Sequence, residues 1–161
     1  MRKPICILMG SASDLETVQE TVSVLKDFKV GFEIKVLSAH RSPKELSCYV
    51  EKAVARGIKV FIAAAGGSAA LAGVIASHTV LPVIGIPIET KSLKGLDSLL
   101  STVQMPGGIP VAGMAIGKGG AKNAGLFALE IIGLQDKKIF KKLCLYKQKM
   151  RITIRKTKIK I

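Results

Sequence analysis

Pro4-Ile5-Cys6-Ile7-Leu8-Met9-Gly10-Ser11-Ala12-Ser13-Asp14-Leu15-Glu16 carries the chain from an apolar run, through a Gly/Ser turn, to the start of a polar helix. The uninterrupted run Pro4–Met9 predicts a strand covered on both faces. Ser13-Asp14-Leu15-Glu16 has capping-box spacing, with a hydroxyl at the cap and a carboxylate three residues on. Leu15, Val18, Val22 and Leu25 then recur at helical spacing and predict one buried stripe ending near Phe28. Strand, tight turn and helix form a unit that decides the fold if it repeats.

It does repeat. Glu33–Ser38 reads as a second strand, and Ser42-Pro43-Lys44-Glu45 as a second capping box with proline at the first helical position. Leu46, Val50, Ala53 and Val54 supply the next apolar stripe, and Gly57 a C-terminal stop. Lys59–Ala65 is the third strand, Gly66-Gly67-Ser68 leads into a helix from Ala69 to Ser77, and Pro82–Ile86 is the fourth strand. A short helix around Leu93–Leu100, a loop Gln104–Pro110, a strand Val111–Ile116 and a helix over Ala121–Ile132 follow. Strands alternating with helices imply right-handed parallel crossovers, hence a three-layer α/β/α sandwich. Asp136–Lys149 places Ile139, Phe140, Leu143 and Tyr146 at helical spacing and predicts a final helix. Residues 1–150 therefore read as a single domain. Arg151–Ile161 reads as a basic C-terminal tail, expected to be a disordered terminus rather than an edge strand or an arm on a neighbouring subunit.

Composition narrows the function. Of 161 residues, 48% are hydrophobic, but only 4% are aromatic and none is tryptophan, which suits close helix–sheet packing and gives single-stranded nucleic acid few stacking platforms. The net charge of +14 is uneven: eleven of the 25 Lys and Arg lie in Lys137–Ile161 with no acid among them, leaving 14 bases against 11 acids before that point. The excess belongs to the C-terminal stretch, so nucleic acid is not the expected partner of the domain. Cys6, Cys48 and Cys144 are odd in number with no CxxC pair, which argues against a disulfide framework or zinc and fits a reducing cytoplasm. Met1-Arg2-Lys3 and the apolar run after it resemble a signal peptide, but the run is too short. Val60–Ile88 lacks charge altogether, yet Gly66-Gly67-Ser68, His78 and Pro82 divide it into pieces that fit a buried sheet, not a membrane.

The chemistry gathers at strand-to-helix junctions. Gly10–Asp14, Ser38–Ser42 and Gly66–Ser68 should open on the same edge of a parallel sheet, where helix N-termini favour phosphate. His40 can move a proton near neutral pH, and Arg41 offers a planar cationic fork. Ser11 and Ser13 add hydroxyls, and Asp14 an acceptor for sugar hydroxyls. Together they describe a pocket for a phosphorylated sugar. Singly, each has a plainer role: Ser13 and Ser42 as caps, Asp14 as a helix-dipole partner, Gly66 and Gly67 as turn residues, His78 as a helix-end residue. The Gly10 loop has neither the Gly-Lys-Ser/Thr ending of a P-loop nor G-x-G-x-x-G spacing. No metal-ligand spacing and no activated serine or cysteine is visible, so the expectation is acid–base chemistry by His40 on a phosphate ester, without cofactor or metal.

The chain resembles the PurE proteins of de novo purine biosynthesis over about residues 4–145. The resemblance rests on Met9–Asp14, Ser38-Ala39-His40-Arg41-Ser42-Pro43, Ala65-Gly66-Gly67-Ser68-Ala69 and Leu81–Pro87, then Gly95–Ser101, Val103–Val111, and Ala115-Ile116-Gly117 with Asn123-Ala124. It implies a flavodoxin-like parallel sheet and a homo-octamer with active sites at subunit junctions. It also implies reversible conversion of 5-(carboxyamino)imidazole ribonucleotide into 4-carboxy-5-aminoimidazole ribonucleotide. On that resemblance Ser11, Ser13, Asp14, Ser38 and Arg41 lie near the phosphate and ribose, with Gly10 and Ala65 beside them. His40 is the general acid/base, and the Gly66-Gly67-Ser68 backbone surrounds the migrating carbon dioxide. His-Arg and Gly-Gly in these loops favour the mutase branch over the carboxylase branch, which uses free carbon dioxide. One departure stands out: many mutase-type members carry a histidine where this chain has Ala70, which leaves open a binding module with impaired catalysis.

Overall fold

The computed structural model describes residues 3–157. Five strands, β1 (Ile5–Met9), β2 (Phe32–Val36), β3 (Val60–Ala65), β4 (Val83–Pro87) and β5 (Ala112–Gly113), form one parallel sheet in the order β2-β1-β3-β4-β5. Among the described residues six α-helices connect and cover it: α1 (Leu15–Asp27), α2 (Pro43–Glu51), α3 (Leu71–Ser77), α4 (Leu96–Val103), α5 (Gly117–Gly133) and α6 (Lys137–Lys156). This is the flavodoxin-like three-layer sandwich, and the strand order reverses between β1 and β3.

Alternation along the central strands splits the core in two. Ile5, Ile7, Met9, Val60, Ile62, Ala64, Ile84 and Ile86 face α1, α5 and α6. Cys6, Leu8, Phe61, Ala63 and Val83 face α2 and α3. β1 and β4 are buried throughout their length, as the apolar runs predict, whereas edge strand β2 is half-buried or exposed. On the first face α1 lies close against α5, because Gly125 presents no side chain to Val24 and the Thr21 hydroxyl donates to the Ala121 carbonyl at 2.6 Å.

On the second face the seat of α4 depends on two glycines. A Cβ on Gly85 would overlap the Thr102 methyl, and one on Gly113 the Val103 side chain. β5 is correspondingly short. The expected strand Val111–Ile116 contributes only Ala112 and Gly113 to the ladder, plus an N–H from Met114 to the Gly85 carbonyl at 2.9 Å.

Three other expectations change. Leu15, Val54 and Phe140 fit helical stripes by spacing but are exposed; Val54 lies in the turns after α2, which ends at Glu51 and not at the expected stop Gly57. The capping box falls on Ser11 and Asp14, around a 3-10 turn that precedes α1, and not on Ser13 and Glu16. The C-terminal stretch does not fray at residue 150: α6 continues to Lys156. No Gly or Pro interrupts residues 137–161, and Arg155 and Lys156 stand in its last turn, where cations complement the helix dipole. The remainder of the expected tail, 158–161, lies outside the described residues. No helix among the described residues is long and apolar enough to cross a membrane.

Candidate active site

The carboxyl ends of β1, β2, β3 and β4 surround a cavity of about 480 Å³, at the edge where strand order reverses. Gly10, Ser11, Ser13, Asp14, Ser38, His40, Arg41, Ala65, Gly66 and Ser68 all line it. Three junctions far apart in sequence thus form one wall.

The first junction is held from inside. Gly10 N–H donates to the Ala64 carbonyl at 3.0 Å, extending the β1–β3 ladder by one step. Ser11 N–H donates to Asp14 Oδ2 at 3.0 Å, while the Ser13 hydroxyl meets the Ser11 hydroxyl at 2.9 Å. Asp14 is 6% exposed, and this burial pushes its carboxyl above the usual range. The Ser11 N–H, the Ser13 hydroxyl and the Arg41 charge pull the other way without reversing the shift.

The second junction is a closed turn. Ser42 supplies no helix cap; its Oγ accepts from Ser38 N–H at 3.0 Å and donates to the Ser38 carbonyl at 3.1 Å. Ser38 Oγ accepts the Arg41 N–H at 3.2 Å, and Arg41 Nη2 reaches back to the Gly10 carbonyl at 2.8 Å. His40 sits at the tip of this turn, exposed on the cavity wall. The turn therefore fixes the backbone beneath the imidazole while leaving the ring accessible.

The third junction departs from expectation at Gly67. Its neighbours Gly66 and Ser68 line the cavity, but Gly67 does not. Its φ of +67° suits glycine, and its N–H donates to Ser98 Oγ on α4 at 2.9 Å. The motif around Gly95–Ser101 held that partner, but no spacing rule links residues 31 positions apart. The cavity also takes Ile88, Glu89 and Thr90 from the end of β4, which sequence reasoning missed. Their signal was positional: β4 pairs with β3, so its carboxyl end opens on the same edge. Thr90 is fixed by its hydroxyl, which donates to the Asp97 carboxylate at 2.9 Å.

Ala70 lines the cavity as the N-cap residue of α3. His78 caps the other end of that helix and lies 3.1 Å from Glu51 through Nδ1, away from the cavity. His78 therefore adds no imidazole to the cavity beside Ala70.

This arrangement can hold an anion beside Arg41 and the serines, present an imidazole to a bound ligand, and enclose a small fragment against Gly66 and Ala65. A family model described as AIR carboxylase matches residues 4–153. The chain is 54% identical over 145 residues to the N5-carboxyaminoimidazole ribonucleotide mutase of Pyrococcus abyssi (strain GE5 / Orsay), covering 90% of this chain and 82% of that one. It is 48% identical over 155 residues to the like-named protein of Saccharolobus solfataricus, covering 96% and 97%. Among solved structures, Treponema denticola PurE superposes with a TM-score of 0.85 at 31% identity, covering 93% of this chain and 92% of that one.

Proposed function

The chain belongs to the AIR carboxylase (PurE) family, and from that membership we propose that it is a mutase of de novo purine biosynthesis. It interconverts 5-(carboxyamino)imidazole ribonucleotide and 4-carboxy-5-aminoimidazole ribonucleotide. The observation that carries the reading is that His40, Arg41, Asp14, Gly66 and Ser68 line one cavity.

In this reading the phosphate lies against the Ser11, Ser13 and Arg41 corner, and Asp14 accepts from the ribose. The N–C bond of the carboxyamino group breaks, carbon dioxide departs, and the electron pair left on nitrogen takes a proton from the His40 imidazolium. Carbon dioxide stays beside Ala65, Gly66 and Ser68, where side chains are small. Ring carbon C4 attacks it, a C–C bond forms, and the C4 proton returns to His40. Atoms and charge balance without a redox partner. The protein's contribution is retention of both fragments and a proton carrier in reach of nitrogen and carbon. Assembly as a homo-octamer, with other subunits completing each site, and a cytoplasmic setting belong to the same proposal.

Purified protein is expected to convert the carboxyamino substrate without ATP, metal or bicarbonate, and His40→Asn to bind substrate without turning it over. Full turnover by the His40→Asn protein sinks the assignment. The description of the matching family model favours a second reading, carboxylation of aminoimidazole ribonucleotide by free carbon dioxide. An absolute requirement for dissolved carbon dioxide would select it. Binding with no turnover of either substrate would select an impaired binding module.

A further inference from the structure

Ser98 is fully buried on α4 and belongs to neither the acid–base group nor the anion corner. Its hydroxyl is used in both directions. It accepts the Gly67 N–H at 2.9 Å and donates to the Ile88 carbonyl at 2.7 Å. Gly67 lies between two cavity-lining residues of the β3–α3 turn, and Ile88 is the first cavity residue after β4. One side chain thus ties two walls of the cavity to a third element. That element has little freedom of its own, because Gly85 and Gly113 let α4 approach the sheet closely.

The Gly67 carbonyl accepts the Ala69 N–H at 2.8 Å and the Ser101 hydroxyl at 3.5 Å, whereas its N–H has Ser98 as its partner. With the Ser98 hydroxyl removed, the Gly67 N–H loses its partner, and the peptide joining Gly66 to Gly67 is no longer tied to α4 on that side. Gly66 and Ser68 move with Gly67, since they share its two peptide bonds.

We propose that Ser98 is a positioning residue that acts through Gly67 to keep the Gly66–Ser68 turn closed around the released carbon dioxide. The proposal rests on the mutase reading for its chemistry, but its structural half stands alone. In the chemistry, the carboxyamino N–C bond has already broken and His40 has protonated the nitrogen. If the turn opens before C4 attacks, carbon dioxide escapes and aminoimidazole ribonucleotide is left as a dead-end product. Ser98 thereby sets the partition between recapture and loss, while the Ser11, Ser13 and Arg41 corner, built from the other two junctions, is left intact.

Ser98→Ala tests this, with Thr102→Val as its control. Thr102 is buried one turn along the same helix, and its hydroxyl donates only to the helix's own Ser98 carbonyl at 2.8 Å. Ser98→Ala is expected to lower product formation about tenfold with KM within about twofold, and to release aminoimidazole ribonucleotide in step with the loss. Amide exchange at Gly67 should accelerate at least about tenfold. Thr102→Val should change neither the partition nor the Gly67 exchange. Unchanged Gly67 exchange in Ser98→Ala overturns the structural half whatever the enzyme does. Faster exchange with an unchanged partition, in an otherwise active mutase, overturns the catalytic half. An inactive wild-type protein with accelerated Gly67 exchange in Ser98→Ala overturns the mutase reading and leaves the positioning contact standing.

Discussion

Arg41 Nη2 donates to the carbonyl of Gly10 at 2.8 Å across 31 residues of sequence, so the guanidinium joins the first site turn to the second. Under the proposed function the same side chain has two tasks, closing a corner and meeting the substrate's phosphate there. A guanidinium has five N–H donors in a fixed fork, enough for both.

Arg41→Lys keeps the charge but not the fork. It should raise KM for the ribonucleotide about tenfold and weaken inhibition by inorganic phosphate, with the melting temperature nearly unchanged because Arg41 is exposed. Steady-state kinetics with a phosphate titration check this. An unchanged KM would remove Arg41 from the anion corner.

Gly66 and Gly67 should respond differently to alanine. At Gly66 a Cβ meets Ile88 and Thr90 at 3.5 and 3.6 Å, an ordinary contact, so Gly66→Ala should fold normally and lose activity by filling the cavity wall. At Gly67 nothing lies within 4 Å, but φ is +67°, so Gly67→Ala should cost about 1–2 kcal/mol in stability. Urea unfolding of the pair, with activity measured in parallel, separates space from backbone strain. Equal stability losses would contradict it.

Gly85→Ala strikes the site from behind. The new Cβ would overlap the Thr102 methyl and press on Val111, pushing α4 off the sheet. A destabilisation of about 1–3 kcal/mol is expected, with faster amide exchange at Gly67 because Ser98 moves with α4. Exchange unchanged in a destabilised protein would show that α4 does not transmit the shift.

Asp14 provides a pH test. Burial raises its carboxyl above the ordinary value, so the folded protein holds this proton more tightly than the unfolded chain. The group's contribution to stability is therefore complete below the unfolded value and is lost as pH rises through the folded one. Asp14→Asn keeps an oxygen acceptor for the Ser11 N–H and does not titrate. Its stability relative to wild type should rise with pH across that window and level off above it. Urea midpoints at about pH 3 to 7 check this, and a difference independent of pH would discard the burial argument.

Legibility of the fold follows the range of the interactions. Helices α1, α2 and α6 are readable because Val18, Val22, Leu25, Leu46, Val50, Ile139 and Leu143 repeat at a helix's own period. Caps were less readable. Ser13 and Ser42 have capping-box spacing, yet the box is made by Ser11 and Asp14, and Ser42 closes on Ser38. A serine hydroxyl bonds whichever N–H the turn brings nearest, and spacing does not specify that turn. β5 is shorter than expected because the apolar run Val111–Ile116 does not reveal how few partners an edge strand has.

By itself the sequence determined that this chain alternates buried strands with helices and places His40, Arg41 and three Gly/Ser turns at strand ends. Those features arise from apolar periodicity and from residues within a few positions of one another. Only the tertiary structure decided that Gly67 turns from the cavity toward Ser98, that Thr90 and Ile88 join the wall, and that Arg41 closes on Gly10. Each of these depends on strand order and on how closely α4 approaches the sheet. Contacts made across such distances in sequence follow from packing, which leaves no local pattern to read.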